Sequence, residues 1–561
     1  MQAEQYHRQA LDLERSGNRD EARALLARGL ADHGDHPDLL NSAGNMALRA
    51  GALQDAIDLF ERAAAAGGGR LDYVLNLAIA LTTAGRPGEA LRRLDPAEPV
   101  GAGNPRYWTV RANAAREADD LAGAAASYDR AAGLEPANGK ALHGRARMAL
   151  ERGEEDAVAR FELALRQDGG NAQLWLGLAQ AQEAAGNRDA AREIADQLVR
   201  QAPTYIDALT FATGLDGSSA GTDAVFAEAA RSQPADPNIP AAWIAALGGS
   251  DRYDRAAEVA REAATRFAAI PAFALWEATY LSAAGYLDEA DRRFADLPDD
   301  LPGADIERAR HALRRGDPLL ADRLCGETIA RDPDNVAAWA LRSVAWRLSR
   351  DSRIEWLHAR TGLVQLLPIE MRGEDWTRLH RDLHALHDRA AFPIGQSLRG
   401  GTQTRGRLFS HHLAIFAVLR VAVERAVERY RTSLPPADPG HPLLRHRDVG
   451  WDLAGSWSVR LSQGADHHTA HIHPQGVVSS ALYVELPGGK PDEGVLELGR
   501  PPANLGLDLE PERIVAPREG HAALFPSTLY HGTTAFASGR RLTVAFDIVP
   551  GNPGPGAGGR Q

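Results

Sequence analysis

The chain has 561 residues, too many for one ordinary domain, so two to four compact parts are expected. It is 44% hydrophobic and 25% charged, the balance of a globular protein with ample core material. Its 63 basic and 75 acidic side chains leave a formal charge of −12, which argues against a general nucleic-acid binder.

No stretch approaches the roughly 18 consecutive apolar residues of a membrane span, and Met1–Gln5 lacks a basic-then-apolar signal. The single cysteine, Cys325, excludes an intrachain disulfide framework and suits a reducing compartment, so a cytoplasmic protein without membrane contact is expected.

The first half is periodic. Gly17, Gly51 and Gly85 are 34 residues apart, Gly153 follows after 68 and Gly186 after 33 more, with Asp119 on the intermediate rung. Ala22, Ala56, Ala90, Ala124, Ala157 and Ala190 follow the rungs, and Leu26, Phe60, Leu94, Tyr128, Phe161 and Ile194 come four residues later. A turn residue, a small residue for close helix approach and a large residue one turn on describe a two-helix repeat. Pro37, Pro136 and Pro203 recur where a second helix should stop. The pattern blurs over 205–245 and resumes at Asp251/Ala256, Gly285/Ala290/Phe294 and Gly316/Ala321/Cys325. In period and residue type it resembles the tetratricopeptide family. That resemblance implies an all-α solenoid over 1–345, of nine or ten repeats, with a concave face for a protein or peptide partner. The bland alternative is an array that only spaces or dimerises the C-terminal part of the chain.

From Asp351 to about Arg407 the register is lost, although Trp356, Leu363 and Trp376 keep helical surroundings. His380, His384 and His387 share a helix face by spacing, but no carboxylate or cysteine partner is visible nearby, so they read as packed or exposed polar groups. Gln396–Thr404 contains a Gly pair flanked by Arg399, Thr402 and Gln403. It matches no phosphate-loop spacing and reads as a tight turn. Leu413–Tyr430 reads as a long amphipathic helix that braces a sheet. Residues 346–447 are therefore expected to form a helical connector.

After about Asp448, short alternating runs punctuated by Gly and Pro take over: 457–461, 477–485, 494–498, 522–525 and 542–546. They predict an antiparallel barrel or jelly roll over 448–550. The Gly/Pro tail, 551–561, is expected to be disordered. His471-Ile472-His473 places two imidazoles on one face of extended chain, with Pro474 ending the ladder. A distant His531 and a strand-borne Arg541 complete what a mononuclear iron oxygenase would need.

Together, His471-Ile472-His473-Pro474, Ser480, Tyr483-Val484, Gly520, Phe525-Pro526-Ser527, His531 and Arg541-Leu542-Thr543 resemble 2-oxoglutarate/Fe(II)-dependent oxygenases, in particular bacterial ones preceded by tetratricopeptide repeats. The resemblance implies a double-stranded β-helix with bracing helices, binding Fe(II), 2-oxoglutarate and O2. It assigns His471 and His531 to iron, puts His473 where most such enzymes have a carboxylate, and gives Arg541 the distal carboxylate of 2-oxoglutarate. Thr543, two along the strand, faces the same way and can add a hydroxyl; Tyr483 is a further candidate for a co-substrate hydrogen bond. Asp466 could supply a carboxylate but is read as off the strand face. His467 and His468 read as a solvated loop, with lining the approach to the site or backing its ligands as the alternative; His521 reads as structural, and Arg540 as pointing outward. The expected activity is a dioxygenase that hydroxylates a peptide or protein recruited by the repeats. The competing readings are a non-enzymatic scaffold with a degenerate or structural-metal barrel, and a zinc-binding, cupin-like barrel of different chemistry.

Overall fold

The computed structural model describes residues 1–216, 219–389, 398–462, 467–488 and 493–551. The chain forms two compact units, Met1–Ala181 and Gln182–Gln561.

The first unit is a run of helix pairs, from Ala3–Arg15 with Arg19–His33 to Gly139–Glu151 with Ala157–Gln167. The turns sit on the predicted rungs. Gly17, Gly51, Gly85 and Gly153 all have positive φ, and Asp119 takes the same left-handed conformation at φ 62°. Ala22, Ala56, Ala90 and Ala124 are fully buried where helices cross. Tyr128 explains why one helix needs a glycine: a Cβ on Gly144 would lie 2.2 Å from the Tyr128 ring.

In the second unit the pairs continue from Arg188–Gln201 to Pro318–Arg331 and end in the single helix Val336–Ser349. The region where the sequence pattern blurs still forms helices, Ile206–Asp216 and Ser219–Ser232. Trp356 lies in a π-helical turn, Glu355–Ala359, and Trp376 in the helix Gly373–His387. Leu363 departs from its expected helical setting; it sits in a bend and is buried under the helix that follows.

Eleven strands appear among the described residues: β1 Gln365–Pro368, β2 Leu398–Arg399, β3 Thr402–Gln403, β4 Trp451–Leu461, β5 His467–His468, β6 Val478–Glu485, β7 Leu496–Leu498, β8 Arg513–Val515, β9 His521–Pro526, β10 His531–Thr533 and β11 Arg541–Pro550. They form an antiparallel six-stranded sheet ordered β1-β9-β6-β11-β4-β3, a three-stranded sheet β10-β7-β8 and the pair β2-β5. The architecture is thus a tetratricopeptide solenoid followed by a double-stranded β-helix. β1 and β3, the two edge strands of the large sheet, and β2 all come from the connector, which is therefore not purely helical.

Strand β11 shows how side-chain parity builds the site. Leu542, Val544, Phe546 and Ile548 point to a core formed with Phe416, Leu419, Val423 and Tyr430 of the helix Ala414–Ser433. Full burial of each such side chain contributes roughly 1.5–3 kcal/mol. Alternate residues Arg541, Thr543 and Ala545 line a pocket on the opposite face. The small sheet closes that pocket: Leu496 and Leu498 pack with Tyr483, Ala523 and Phe525 of the large one.

A third core joins the last solenoid helices to the barrel. Ala309, Leu313, Trp339, Val344 and Trp346 cluster with Leu505 and Tyr530, and Ile472, Leu507 and Leu509 pack against them. Arg314 Nε donates to Asn504 O at 2.8 Å, and Arg347 donates to the carbonyls of Gly499 and Glu510.

Candidate metal centre

His471 and His531 are held opposite each other by an isolated antiparallel bridge, with N–H···O distances of 3.0 Å and 2.9 Å. His473 follows in extended chain just before a turn at Pro474. The bridge and the two-residue spacing bring the three rings together, with centroids 5.1 Å apart for 471/473, 4.3 Å for 471/531 and 4.9 Å for 473/531.

Each ring is oriented from behind. His471 Nδ1 lies 2.8 Å from Thr469 O, His531 Nδ1 lies 3.2 Å from Leu529 O, and His473 Nδ1 lies 2.5 Å from Asp547 Oδ1. These oxygens only accept, so every Nδ1 carries a proton and every Nε2 is the nitrogen left to face the other rings. The Nε2 atoms of His471 and His473 are 3.1 Å apart, and one ligand atom from each of the three side chains fits within a 4.8 Å span. Burial, and then the facing His473, pushes the His471 imidazole down to about 4. Burial holds His531 well below its ordinary value. Three imidazoles oriented through Nδ1, with Nε2 atoms that converge, suit a divalent first-row ion, Fe(II) included.

The pocket in front of the cluster has a volume of about 450 Å³. Across it lies Arg541, 2% exposed and without a carboxylate partner among the described residues. Its guanidinium sits 5.5 Å from the Tyr483 ring centroid, yet Arg541 Nε and Tyr483 Oη make no hydrogen bond of acceptable geometry. Burial lowers the guanidinium's pKa and pushes the Tyr483 phenol up to about 12. A desolvated cation with no carboxylate beside it among the described residues, and with its Nε unpaired, favours an anionic ligand. Thr543 is buried next along the same face.

The six predicted site residues therefore fall in one place: five line the pocket and Tyr483 stands behind Arg541. Asp466 lies outside the described residues, as do Gln396 and Ser397 of the Gly-turn segment. Gly400 and Gly401 have positive φ, as a tight turn between β2 and β3 requires. His468 is a correction. Instead of belonging to a solvated loop, it pairs with Leu398 in β5 and lines the pocket. Arg540 points outward, half exposed and 3.4 Å from Glu485.

Asp547 was not singled out in the sequence, although a signal was present. It continues the 541/543/545 parity of β11, and that parity carries its carboxylate to His473. Gln403 and Trp457 also reach the pocket, and the Trp457 ring lies 5.3 Å from that of His473.

Fold and site together give a solenoid of helix pairs followed by antiparallel sheets that enclose three clustered histidines and a buried arginine. Residues 455–547 match the family model described as "Putative 2OG-Fe(II) oxygenase". Two tetratricopeptide-repeat models match 7–70 and 47–114 with 154–211. No curated protein matches the chain. Among solved structures, the type IV pilus biogenesis factor PilW is 18% identical, covering 37% of this chain and 97% of its own, with a TM-score of 0.35. PilF of Pseudomonas aeruginosa is 18% identical over 37% and 96%, with a TM-score of 0.34. A tetratricopeptide repeat protein of Parabacteroides merdae is 16% identical over 47% and 93%, with a TM-score of 0.34. No described helix is long and apolar enough to cross a membrane.

Proposed function

We propose that the protein is a 2-oxoglutarate- and Fe(II)-dependent dioxygenase that hydroxylates a peptide or protein substrate recruited by its repeats. The observation that carries this reading is Arg541, buried with its Nε lacking a hydrogen-bond partner in the same pocket as three converging imidazoles. A structural zinc site would need the imidazoles but has no use for the cation.

In this reading His471, His473 and His531 hold Fe(II) through Nε2, and their carbonyl and carboxylate partners keep the rings from turning. Arg541 binds the distal carboxylate of 2-oxoglutarate, and the Thr543 and Tyr483 hydroxyls satisfy its remaining lone pairs. The bound iron supplies the redox chemistry that couples oxidative decarboxylation of 2-oxoglutarate by O2 to hydroxylation of a substrate C–H bond. Leu496, Ala481 and Ala545 make part of the pocket wall apolar, limiting water at the co-substrate. The repeats support a polypeptide substrate, since a solenoid of this kind presents an extended binding surface.

The test is an anaerobic titration of the Fe(II)-loaded protein with 2-oxoglutarate, followed by succinate release on admitting O2. Arg541→Ala removes charge-assisted hydrogen bonds worth about 1.5–3 kcal/mol each, so 2-oxoglutarate affinity should fall roughly 10- to 150-fold with iron binding retained. Unchanged 2-oxoglutarate affinity in that variant would refute the assignment of Arg541.

A further inference from the structure

We propose a second metal site, unrelated to the pocket, formed by His380, His384 and Glu485, which takes a divalent ion of the zinc class. In sequence the two histidines lack a carboxylate partner. The fold provides one, because the end of β6 lies against the helix Gly373–His387. His384 Nε2 is 2.8 Å and His380 Nε2 is 3.4 Å from the same oxygen, Glu485 Oε2. The two rings sit edge to face with centroids 4.5 Å apart. Three donor atoms, one from each residue, fall within a 4.8 Å span.

Two imidazoles one helical turn apart and a carboxylate from a neighbouring strand form an N2O donor set with room for a water, which suits tetrahedral zinc. Bonds of about 2.0–2.1 Å at tetrahedral angles place donor atoms about 3.3 Å apart. The 2.8 and 3.4 Å separations from Glu485 bracket that value, and the two imidazole donors lie within 4.8 Å of each other, so small side-chain adjustments would admit the ion. The three side chains are partly exposed, which leaves an entry path.

Two arginines face the cluster. Arg540 Nε lies 3.4 Å from Glu485 Oε1, the oxygen not turned to the histidines. Arg460 Nη1 lies 3.4 Å from His384 Nδ1 but only 2.7 Å from Asp388 Oδ1. Metal binding at His384 Nε2 moves that nitrogen's proton to Nδ1, and Arg460 then keeps Asp388 Oδ1 and the His384 carbonyl, 3.5 Å away, as its partners. The site would staple the helix to β6 two residues beyond Tyr483.

The experiment is a Zn2+ titration of the metal-free full-length protein by calorimetry, with Co2+ absorption as a second probe. Two equivalents are expected in the parent and one in His380→Ala/His384→Ala, whose 2-oxoglutarate binding stays as in the parent. Conversely, His471→Ala/His531→Ala should retain one equivalent that Glu485→Gln then abolishes. Arg540→Ala should tighten this equivalent roughly two- to fivefold, the scale of one exposed ion pair released. Glu485→Gln keeps the shape of the side chain and serves if the double alanine variant fails to fold. Two equivalents in either the double alanine variant or Glu485→Gln, or none left in His471→Ala/His531→Ala, would overturn the proposal. A single parent equivalent that survives in His471→Ala/His531→Ala and is lost in Glu485→Gln would leave this site standing while removing the other.

Discussion

The His473–Asp547 contact offers a sharp test of how the three-histidine cluster would manage without a carboxylate ligand. Asp547 Oδ1 accepts from His473 Nδ1 at 2.5 Å, and both side chains are 17% exposed. The contact fixes the tautomer and adds negative charge one residue behind the ligand shell. Asp547→Ala leaves a partly buried N–H without its acceptor and frees the ring to turn. Removing such an outer partner typically costs 10- to 100-fold in metal affinity, or about 1.4–2.7 kcal/mol. Asp547→Asn keeps an acceptor but not the charge, so its loss should be smaller than that of the alanine variant. The assay is competition of Co2+ or Zn2+ against a chelator, with circular dichroism to check folding. If folded Asp547→Ala binds metal within twofold of the parent, His473 is not oriented by Asp547 and its place as a ligand loses its main support.

Burial pushes His387 down to about 3 and His441 down to about 4 from an unfolded value of 6.5. Protons therefore bind the unfolded chain first, and stability that is full above pH 6.5 falls as pH drops toward 4. His441 alone contributes about 3 kcal/mol across that window. Denaturant midpoints should decline from pH 7 to pH 5, and a flat profile would contradict the buried neutral state. Gly144→Ala should destabilise the first unit by about 1–2 kcal/mol, because overlap with the Tyr128 ring outweighs a helix-propensity gain of about 1 kcal/mol. A raised melting temperature would show that the ring can move aside. Thr543→Val keeps shape but removes a hydroxyl, so 2-oxoglutarate affinity should fall about two- to tenfold with metal affinity unchanged; equal binding would remove Thr543 from the co-substrate site.

The repeats were legible because a left-handed turn admits few residues, so Gly17, Gly51 and Gly85 had to recur, and Asp119 could stand in at φ 62°. Parity in β11 made Arg541 and Thr543 readable as neighbours, and the same rule extended by four residues would have reached Asp547. What no local pattern held was pairing across distance. His468 left its expected loop because Leu398, 70 residues earlier, pairs with it. Glu485 meets His384 only because the helix Gly373–His387 lies across the end of β6. Strand β1 hid in the connector because four residues, Gln365–Pro368, give too short a run for alternation to register.

Ile472, the residue between two of the candidate ligands, packs into the cluster formed by the last solenoid helices, and Tyr530, next to the third, is buried there too. The final repeats are in this sense a wall of the barrel. A fragment starting at residue 350 would expose Leu505, Leu507, Leu509 and Tyr530 to water and release the chain on either side of His471 and His531. The last repeats and the loops carrying the imidazoles thus share one block of packed side chains, so an event that shifts those helices would reach the imidazoles.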